Sequence, residues 1–455
     1  MDNTEKYDLL AGGNGSLASS MGILPRSADF LFSGSRIKES LGRCPDFDLL
    51  SFKESKVELS GIQLQGYVAV IGYKAMRFDV NLRILGTEGL DLHDYGFANS
   101  IDDGSMTAAS MQKYLLDTSV YFSSDPLASF HFQLKVMDAI VADASLVIDS
   151  MSYRLLSAKW LKLAAASSVP PSPEYLFTIH AVYDEDKSNG GKRQYWLHTH
   201  GLHRCGTVEL EILNFDDGAD QMNTLISMSV KKFLSDPPLE KEKFTIGYDG
   251  LGINLAWLRW EEALKEMPDS VLGGLNDRKG EGNVHAEPSG ILLGVEDGEF
   301  VSPQIYNSAI SENPIFYITT EETNRMSALA KERFPYFERA FDYELKKKEK
   351  RPFFKNLFAK QRNDGEEWSF LVKMGLYVGR GEAEDEREHL WFEVQAIGKG
   401  NVDGKLLNQP YWIDGLNEGD VKSYSLSLLT DWVIYSPDNT YTPDSSYLLD
   451  EVGHK

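Results

Sequence analysis

The sequence is poor in cysteine, because only Cys44 and Cys205 occur among its 455 residues. Two cysteines so far apart do not suggest the disulfide framework of small secreted domains. No apolar run approaches the roughly 18 residues that cross a bilayer, and the first residues carry acidic side chains where a signal peptide needs basic ones. These absences predict a cytoplasmic protein without a transmembrane segment.

Positive charge is also scarce, since 46 Lys and Arg stand against 69 Asp and Glu, for a net charge of −23. A field of this sign repels phosphate backbones, so we predict that nucleic acid is not a partner. The composition is otherwise that of an ordinary globular protein. At this length one hydrophobic core stops growing, which predicts several domains.

The signatures of common enzymes are missing as well. No Gly-x-Ser-x-Gly nucleophile elbow occurs, and residues 399–406 depart from the phosphate-loop pattern at its first Gly and at its Ser/Thr. We therefore predict no cofactor, and the sequence leaves open whether the chain is an enzyme.

The apolar patterns predict an α+β, multidomain fold in which antiparallel sheets pack with helices and the C-terminal domain is small and β-rich. Residues 66–85 have the pattern of a strand hairpin, and residues 126–141 have helical spacing. A buried helical stripe runs through residues 320–345, and Pro335 is expected to break or kink that helix.

A proline cluster at residues 170–173 and changes in composition predict the domain boundaries. The segment 346–362 is basic, with eight positive residues against one negative. It could contact an anionic membrane surface, or instead dock on the acidic surface of this protein. The predicted order is a flexible N-terminus (1–20), an N-terminal α+β domain (21–173), a middle α+β domain (174–318), a helical and basic linker (319–362) and the β-rich C-terminal domain (363–455).

Residues 195–211 hold three of the nine histidines and one of the two cysteines. The segment begins as an alternating strand, so the first two histidines should project from one face. We take this segment as the candidate functional cluster, with the members His198, His200, His203, Cys205, Glu209 and Glu211.

Several kinds of chemistry are open to this cluster. Imidazole and thiolate are zinc ligands, but ligands crowded into eight residues rarely complete a cage, and His180 could join only if the strand register aligned it. A histidine could also work as an acid or base with Glu209 or Glu211. We predict instead that these histidines are scaffold side chains bonded to backbone or carboxylates and that no residue is a metal ligand. The sequence leaves open whether they converge.

Ordered motifs near the C-terminus carry a family resemblance. They resemble the YegJ-like bacterial family known as domain of unknown function 2314, and the region before them, through residues 196–202 and 209–211, resembles domain of unknown function 4026. Neither family has an assigned activity, so the resemblance implies a bacterial multidomain protein and no catalytic residue. The C-terminal motifs are Phe370-Leu-Val-Lys373, Glu388-His-Leu-Trp391, Gly404-Lys-Leu-Leu-Asn-Gln-Pro410, Gly419-Asp420 and Thr430-Asp-Trp432.

Polar and aromatic residues of these motifs form a candidate recognition set. Its tryptophans, with Trp412, could line a groove or instead fill the core, and residues 408–410 then form a turn. The set is Glu388, His389, Trp391, Asn408, Pro410, Asp431 and Trp432.

Together these features predict a non-catalytic binding or interaction protein with an unknown protein partner. An immunity-type role follows only from the association of such families with toxin systems. The alternative prediction is a metal-assisted hydrolase centred on His198, His200 and His203.

Overall fold

The fold is given by a computed structural model that divides the chain into two compact units. The first unit comprises residues 1–166 and 170–317, and the second comprises residues 167–169 and 318–455. The domain boundaries proposed from the sequence stay predictions. The structure describes residues 2–59, 62–186, 192–248, 251–268, 270–280, 282–312, 320–349, 368–378 and 387–451.

The first sheet of unit 1 is almost entirely antiparallel, with the strand order β2-β3-β4-β6-β1-β7-β8-β5. Among the strands described in this sheet, only the short pair β5 and β8 is parallel. Its strands are β1 (Ser19–Pro25), β2 (Phe47–Leu59), β3 (Ile62–Tyr73), β4 (Met76–Gly86), β5 (Gly96–Phe97), β6 (Tyr114–Val120), β7 (Ala144–Asp149) and β8 (Arg154–Ser157). The helices before and around it are α1 (Asn3–Leu10), α2 (Gly34–Arg43), α3 (Asp103–Ser110), α4 (Pro126–Ile140) and α5 (Ala158–Ala166).

The second sheet of unit 1 has the order β12-β13-β14-β11-β10-β9, and β15 pairs with β14. Its one parallel pair is β11 with β14. The strands are β9 (Thr178–Asp186), β10 (Lys192–His200), β11 (Glu209–Phe215), β12 (Phe244–Tyr248), β13 (Leu251–Arg259), β14 (Ser289–Glu296) and β15 (Glu299–Val301). The helices of this part are α6 (Ala219–Ser235), α7 (Trp260–Ala263) and α8 (Asn307–Glu312).

A buried ion pair joins the two sheets of unit 1. Arg204 follows β10 in a short 3-10 turn, Leu202–Cys205, and its guanidinium donates to both carboxylate oxygens of Asp149 at 2.9 and 2.8 Å. Both side chains are almost fully buried. A bidentate pair in this environment fixes the turn after β10 against the end of β7.

The described residues of unit 2 form a six-stranded antiparallel sheet and one long helix, α9 (Thr320–Glu349). The helix packs its aromatic stripe against the sheet, where Phe337 lies edge-on to Phe370 and Trp432. The sheet order is β19-β18-β17-β16-β20-β21, from β16 (Ser369–Tyr377), β17 (Arg387–Gly398), β18 (Asn401–Leu406), β19 (Val421–Ser425), β20 (Leu429–Tyr435) and β21 (Thr440–Tyr441).

These elements confirm the predicted α+β, multidomain fold with a β-rich C-terminal sheet. The hairpin at residues 66–85 is formed by β3 and β4, and the predicted helix at 126–141 is α4. Of the two alternatives at Pro335, a break or a kink, the break was wrong, because α9 runs through the proline as one helix. Most helices in proteins are stabilised by tertiary packing of one face. The buried aromatic face of α9 supplies such packing, which outweighs the backbone hydrogen bond that Pro335 cannot donate.

The N-terminus also differs from the loose segment that its composition favoured. Asp2 and Glu5 form a capping box at the start of α1, and Tyr7 and Leu10 are buried. The basic segment 346–362 lies outside the described residues except for the last residues of α9. Among the residues that the structure describes, no helix is both long and apolar enough to cross a membrane.

Candidate functional site

Three histidines of the second sheet converge on one point. His198 and His200 are two residues apart on β10 and therefore share a face. His180 on β9 is the direct cross-strand partner of His198. The ring centroids lie 5.4 Å apart for His180 and His198, 4.8 Å for His180 and His200, and 4.9 Å for His198 and His200.

The nitrogens of these three rings are close enough to share one ligand. One ring nitrogen from each histidine lies within 4.8 Å of the others. Two nitrogens bound to one tetrahedral zinc ion are about 3.4 Å apart, given zinc–nitrogen bonds of about 2.0–2.1 Å. Small side-chain rotations would therefore bring the three nitrogens to ligand distance. We call His180, His198 and His200 the histidine cluster.

A fourth histidine, which no sequence pattern singled out, lies beside the cluster. His285 belongs to a single 3-10 turn, Val284–Ala286, and its ring centroid is 4.7 Å from that of His198 and 5.7 Å from that of His200. It lies 85 positions after His200 along the chain. No spacing rule connects two positions that far apart.

A small cavity opens between these side chains. It holds about 20 Å³, which is room for roughly one water molecule or one ion. The cavity is lined by His198, Thr199, His200, Glu209, Glu211, Val284, His285, Glu287 and Ser289.

The cluster histidines are neutral at physiological pH. Burial is the main cause that lowers the pKa of His198 to about 2 and that of His200 to about 4, and neighbouring imidazoles add to both shifts. Burial also lowers the pKa values of His180 and His285. A neutral imidazole keeps one nitrogen lone pair for a ligand.

His198 has an unsatisfied nitrogen. Its side chain is 4% exposed, and its Nδ1 has no hydrogen-bond partner within the described ranges. A buried polar atom left without a partner costs about 1–3 kcal/mol. The predicted scaffold role, in which each histidine bonds backbone or carboxylate, therefore lacks support at this ring.

His203 does have the kind of partner expected of a scaffold histidine. Its Nε2 lies 2.8 Å from the carbonyl oxygen of Pro288. Cys205 follows in the same turn, where burial raises the pKa of its thiol to about 12. A thiol with so high a pKa is a poor nucleophile, and the adjacent Arg204 is already paired.

Glu209 closes the turn that follows β10. Its carboxylate accepts hydrogen bonds from the backbone N–H groups of Gly201 and Leu202 at 2.8 and 2.9 Å and from the Thr199 hydroxyl at 2.7 Å. Gly201 has a φ of 114°, and a Cβ there would lie 2.3 Å from the Leu176 carbonyl oxygen. Gly201 and Glu209 together therefore fix the residue at which β10 ends.

Glu211 is the centre of a buried polar network directly opposite His198. It pairs with both terminal nitrogens of Arg278 at 2.9 and 2.8 Å. It also accepts hydrogen bonds from the Trp196 indole N–H at 2.6 Å and from the Ser289 hydroxyl. Both of its oxygens are thus engaged by donors.

The members of the C-terminal recognition set lie on both faces of the unit 2 sheet and in the loop after β18. Trp432 is fully buried and its indole N–H donates to the Ala330 carbonyl, whereas Trp412 is 69% exposed. Glu388 is buried and accepts from the backbone N–H groups of Tyr411 and Trp412.

Trp391 and Asp431 are neighbours on the sheet, because both are cross-strand partners of Lys373, and His389 shares the face of Trp391. His389 contacts the Thr430 hydroxyl at 3.1 Å, and Lys373 lies over the Trp391 ring. Burial raises the pKa of Asp431 to about 6. Asn408 is exposed and Pro410 half-buried.

Comparison with known families covers both units. The model described as protein of unknown function (DUF4026) N-terminal matches residues 19–171, and the DUF4026 C-terminal model matches residues 179–293. Together they span more than half of the chain. The chain belongs to the DUF4026 family.

This DUF4026 protein continues into a second family. The model described as uncharacterized protein conserved in bacteria (DUF2314) matches residues 321–445, which confirms both predicted resemblances, although nothing supports the narrower YegJ-like label. No curated protein and no solved structure matches the chain significantly. The histidine cluster and His285 all fall inside the segment matched by the DUF4026 C-terminal model.

Proposed function

We propose that this DUF4026 protein binds a divalent transition-metal ion at the histidine cluster. The observation that carries the proposal is the convergence of three neutral ring nitrogens within 4.8 Å around a buried histidine with an unsatisfied nitrogen. Imidazole is a ligand for Zn²⁺, Cu²⁺ and Ni²⁺, whereas Mg²⁺ and Ca²⁺ prefer oxygen. The proposal departs from the sequence prediction, which assigned no metal ligand.

Binding rather than hydrolysis is the better use of this site. A metal-assisted hydrolase commonly needs a free carboxylate or imidazole to move protons. The carboxylates that line the cavity are Glu209, Glu211 and Glu287. Glu209 and Glu211 each accept several hydrogen bonds, and Glu287 forms an ion pair with Lys6. His203, a member of the predicted hydrolase centre, is bonded to the Pro288 carbonyl oxygen.

The wider role also stays a proposal. A binding or interaction protein in the cytoplasm, with a protein partner, is consistent with a metal site that serves structure or sensing. The immunity-type role rests only on family association, and no observation in the described residues favours it.

The test is metal content and affinity of the full chain. Protein purified without chelator and without a histidine tag should carry close to one equivalent of transition metal, or take up one Zn²⁺ ion in calorimetric titration. We expect His198→Ala and His200→Ala to abolish tight binding. Zinc at 100 times the dissociation constant should stabilise the wild type by about 2.7 kcal/mol.

Two histidine variants outside the cluster serve as matched controls. His93 is exposed, and His203 is buried but bonded elsewhere, so His93→Ala and His203→Ala should retain the metal. Less than about a tenth of an equivalent in the wild type after zinc loading would rule out a tight site.

A further inference from the structure

We propose that His285 is the fourth ligand of this metal site and closes it, giving an ion surrounded by four imidazoles. This inference rests on the proposed function and concerns how many protein ligands the ion has. It separates a closed binding site from an open catalytic one, because catalytic zinc sites keep a coordination position for water.

The position of His285 is the first argument. Its ring lies edge-on to His198, with an angle of 79° between the ring planes, and within 5.7 Å of His200 by ring centroids. It lines the same small cavity as these two histidines. It is half-buried, as expected of a side chain that covers a buried set of rings.

The backbone around His285 is held firmly from one side by the buried Glu211 network. Arg278, which pairs with Glu211, also donates to the His285 carbonyl oxygen at 2.5 Å. The Asn283 side chain accepts from the His285 backbone N–H at 2.9 Å and begins the 3-10 turn. The His285 ring itself packs edge-on against Trp196, 4.7 Å away.

The N-terminal helix α1 holds the other side of the same turn. Asn3 donates to the carbonyl oxygen of Ala286 at 2.7 Å, and Lys6 forms an ion pair with Glu287. The Tyr7 hydroxyl donates to the Ser289 carbonyl oxygen at 2.7 Å and accepts from its N–H at 3.0 Å. A turn anchored before and after His285 leaves little freedom except the rotation of the ring.

Four nitrogen ligands on this scaffold define the class of ion. Strand pairing fixes three of the rings, and the anchored turn supplies the fourth. His198, His200 and His285 line a cavity of about 20 Å³ and His180 lies beside them, which leaves no room for the water shell that Mg²⁺ retains. The site therefore fits a fully dehydrated ion such as Zn²⁺, with Co²⁺ as its spectroscopic substitute.

The experiment counts the ligands in the full-length protein. X-ray absorption of the zinc-loaded wild type should fit four imidazoles, and the cobalt-loaded protein should show the intense visible bands of four-coordinate Co²⁺. The X-ray absorption of His285→Ala should fit three imidazoles, and its cobalt bands should be weaker. Its zinc affinity should fall by at least about 10–100-fold, which is the loss measured when a partner outside the ligand set is removed. His93→Ala is the exposed control.

A second variant shows whether a loss of zinc affinity comes from the missing nitrogen or from misfolding. His285→Phe keeps an aromatic ring against Trp196 but offers no nitrogen, so it should fold and show the same three-ligand spectrum. If wild-type protein binds zinc and His285→Phe binds it with unchanged affinity and spectrum, the fourth ligand is refuted while the metal site stands. If the wild type binds no metal, the proposed function fails and this inference falls with it.

Discussion

Substitution of Glu211 by Gln tests how the candidate site is held together. The carboxylate is 2% exposed and neutralises Arg278, which is 5% exposed, through two hydrogen bonds. Gln keeps the size of the side chain but removes the charge. It also offers an amide N–H group where the Glu211 carboxylate has only acceptors for Trp196, Ser289 and Arg278.

The expected cost follows from the buried charge left behind. In Glu211→Gln, the guanidinium of Arg278 keeps the carbonyl oxygens of Gly273 and His285 as partners but loses its counter-charge. Breaking one side of a buried ion pair costs about 3–5 kcal/mol. With a urea dependence of about 3 kcal/mol per molar, the unfolding midpoint of unit 1 should fall by roughly 1–2 M.

Urea unfolding followed by far-ultraviolet circular dichroism measures this shift. Glu262→Gln is the matched control, because Glu262 pairs with Lys241 at an exposed position and its loss should leave the midpoint unchanged. A midpoint for Glu211→Gln within about 0.3 M of the wild type would refute the claim that this ion pair organises the site. The double variant Glu211→Gln/Arg278→Met should cost less than the sum of the two single changes, since it leaves no unpaired charge.

Two other perturbations test the polar groups of unit 1. Arg204→Met leaves the buried Asp149 carboxylate without the counter-charge of Arg204. It should lower the free energy of unfolding by about 3–5 kcal/mol in urea titrations. A loss under about 1 kcal/mol would contradict a structural role for the pair. Asp138 has a pKa raised to about 6, chiefly by burial. The folded state binds this proton more tightly than the unfolded chain, so the Asp138 carboxyl lowers the stability of the fold as pH rises from about 4 to 6. Asp138→Asn should therefore raise the free energy of unfolding by about 1–2 kcal/mol at pH 7.5 and have little effect at pH 4. Thermal unfolding at both pH values checks this, and an equal effect at the two would argue against the titration.

The regular elements could be predicted from local patterns. Alternation in residues 66–85 and helical spacing in 126–141 correspond to β3, β4 and α4, because each pattern buries one face of its own element. The predicted break at Pro335 failed because tertiary packing of α9 outweighed a local rule. At the N-terminus, the polar composition did not indicate that Tyr7 and Leu10 are buried, because their burial depends on contacts with distant residues.

The candidate site was only half predictable. The two-residue spacing of His198 and His200 on a strand indicated one shared face, and the structure has this arrangement. Residues 200–211 nevertheless do not act as one cluster. Glycine at residue 201 turns the chain, so His203 bonds the Pro288 carbonyl, and Glu209 caps the turn that follows the strand.

By itself the sequence determined that His198 and His200 share a face, that the chain is acidic and that its elements form an α+β protein of the DUF4026 and DUF2314 families. Only the tertiary structure decided that His180 lies opposite His198 and that His285 reaches the same cavity. Strand register and loop docking depend on the burial of whole faces and on partners such as Arg278 and α1. Those contacts join residues far apart in sequence, so no local pattern records them.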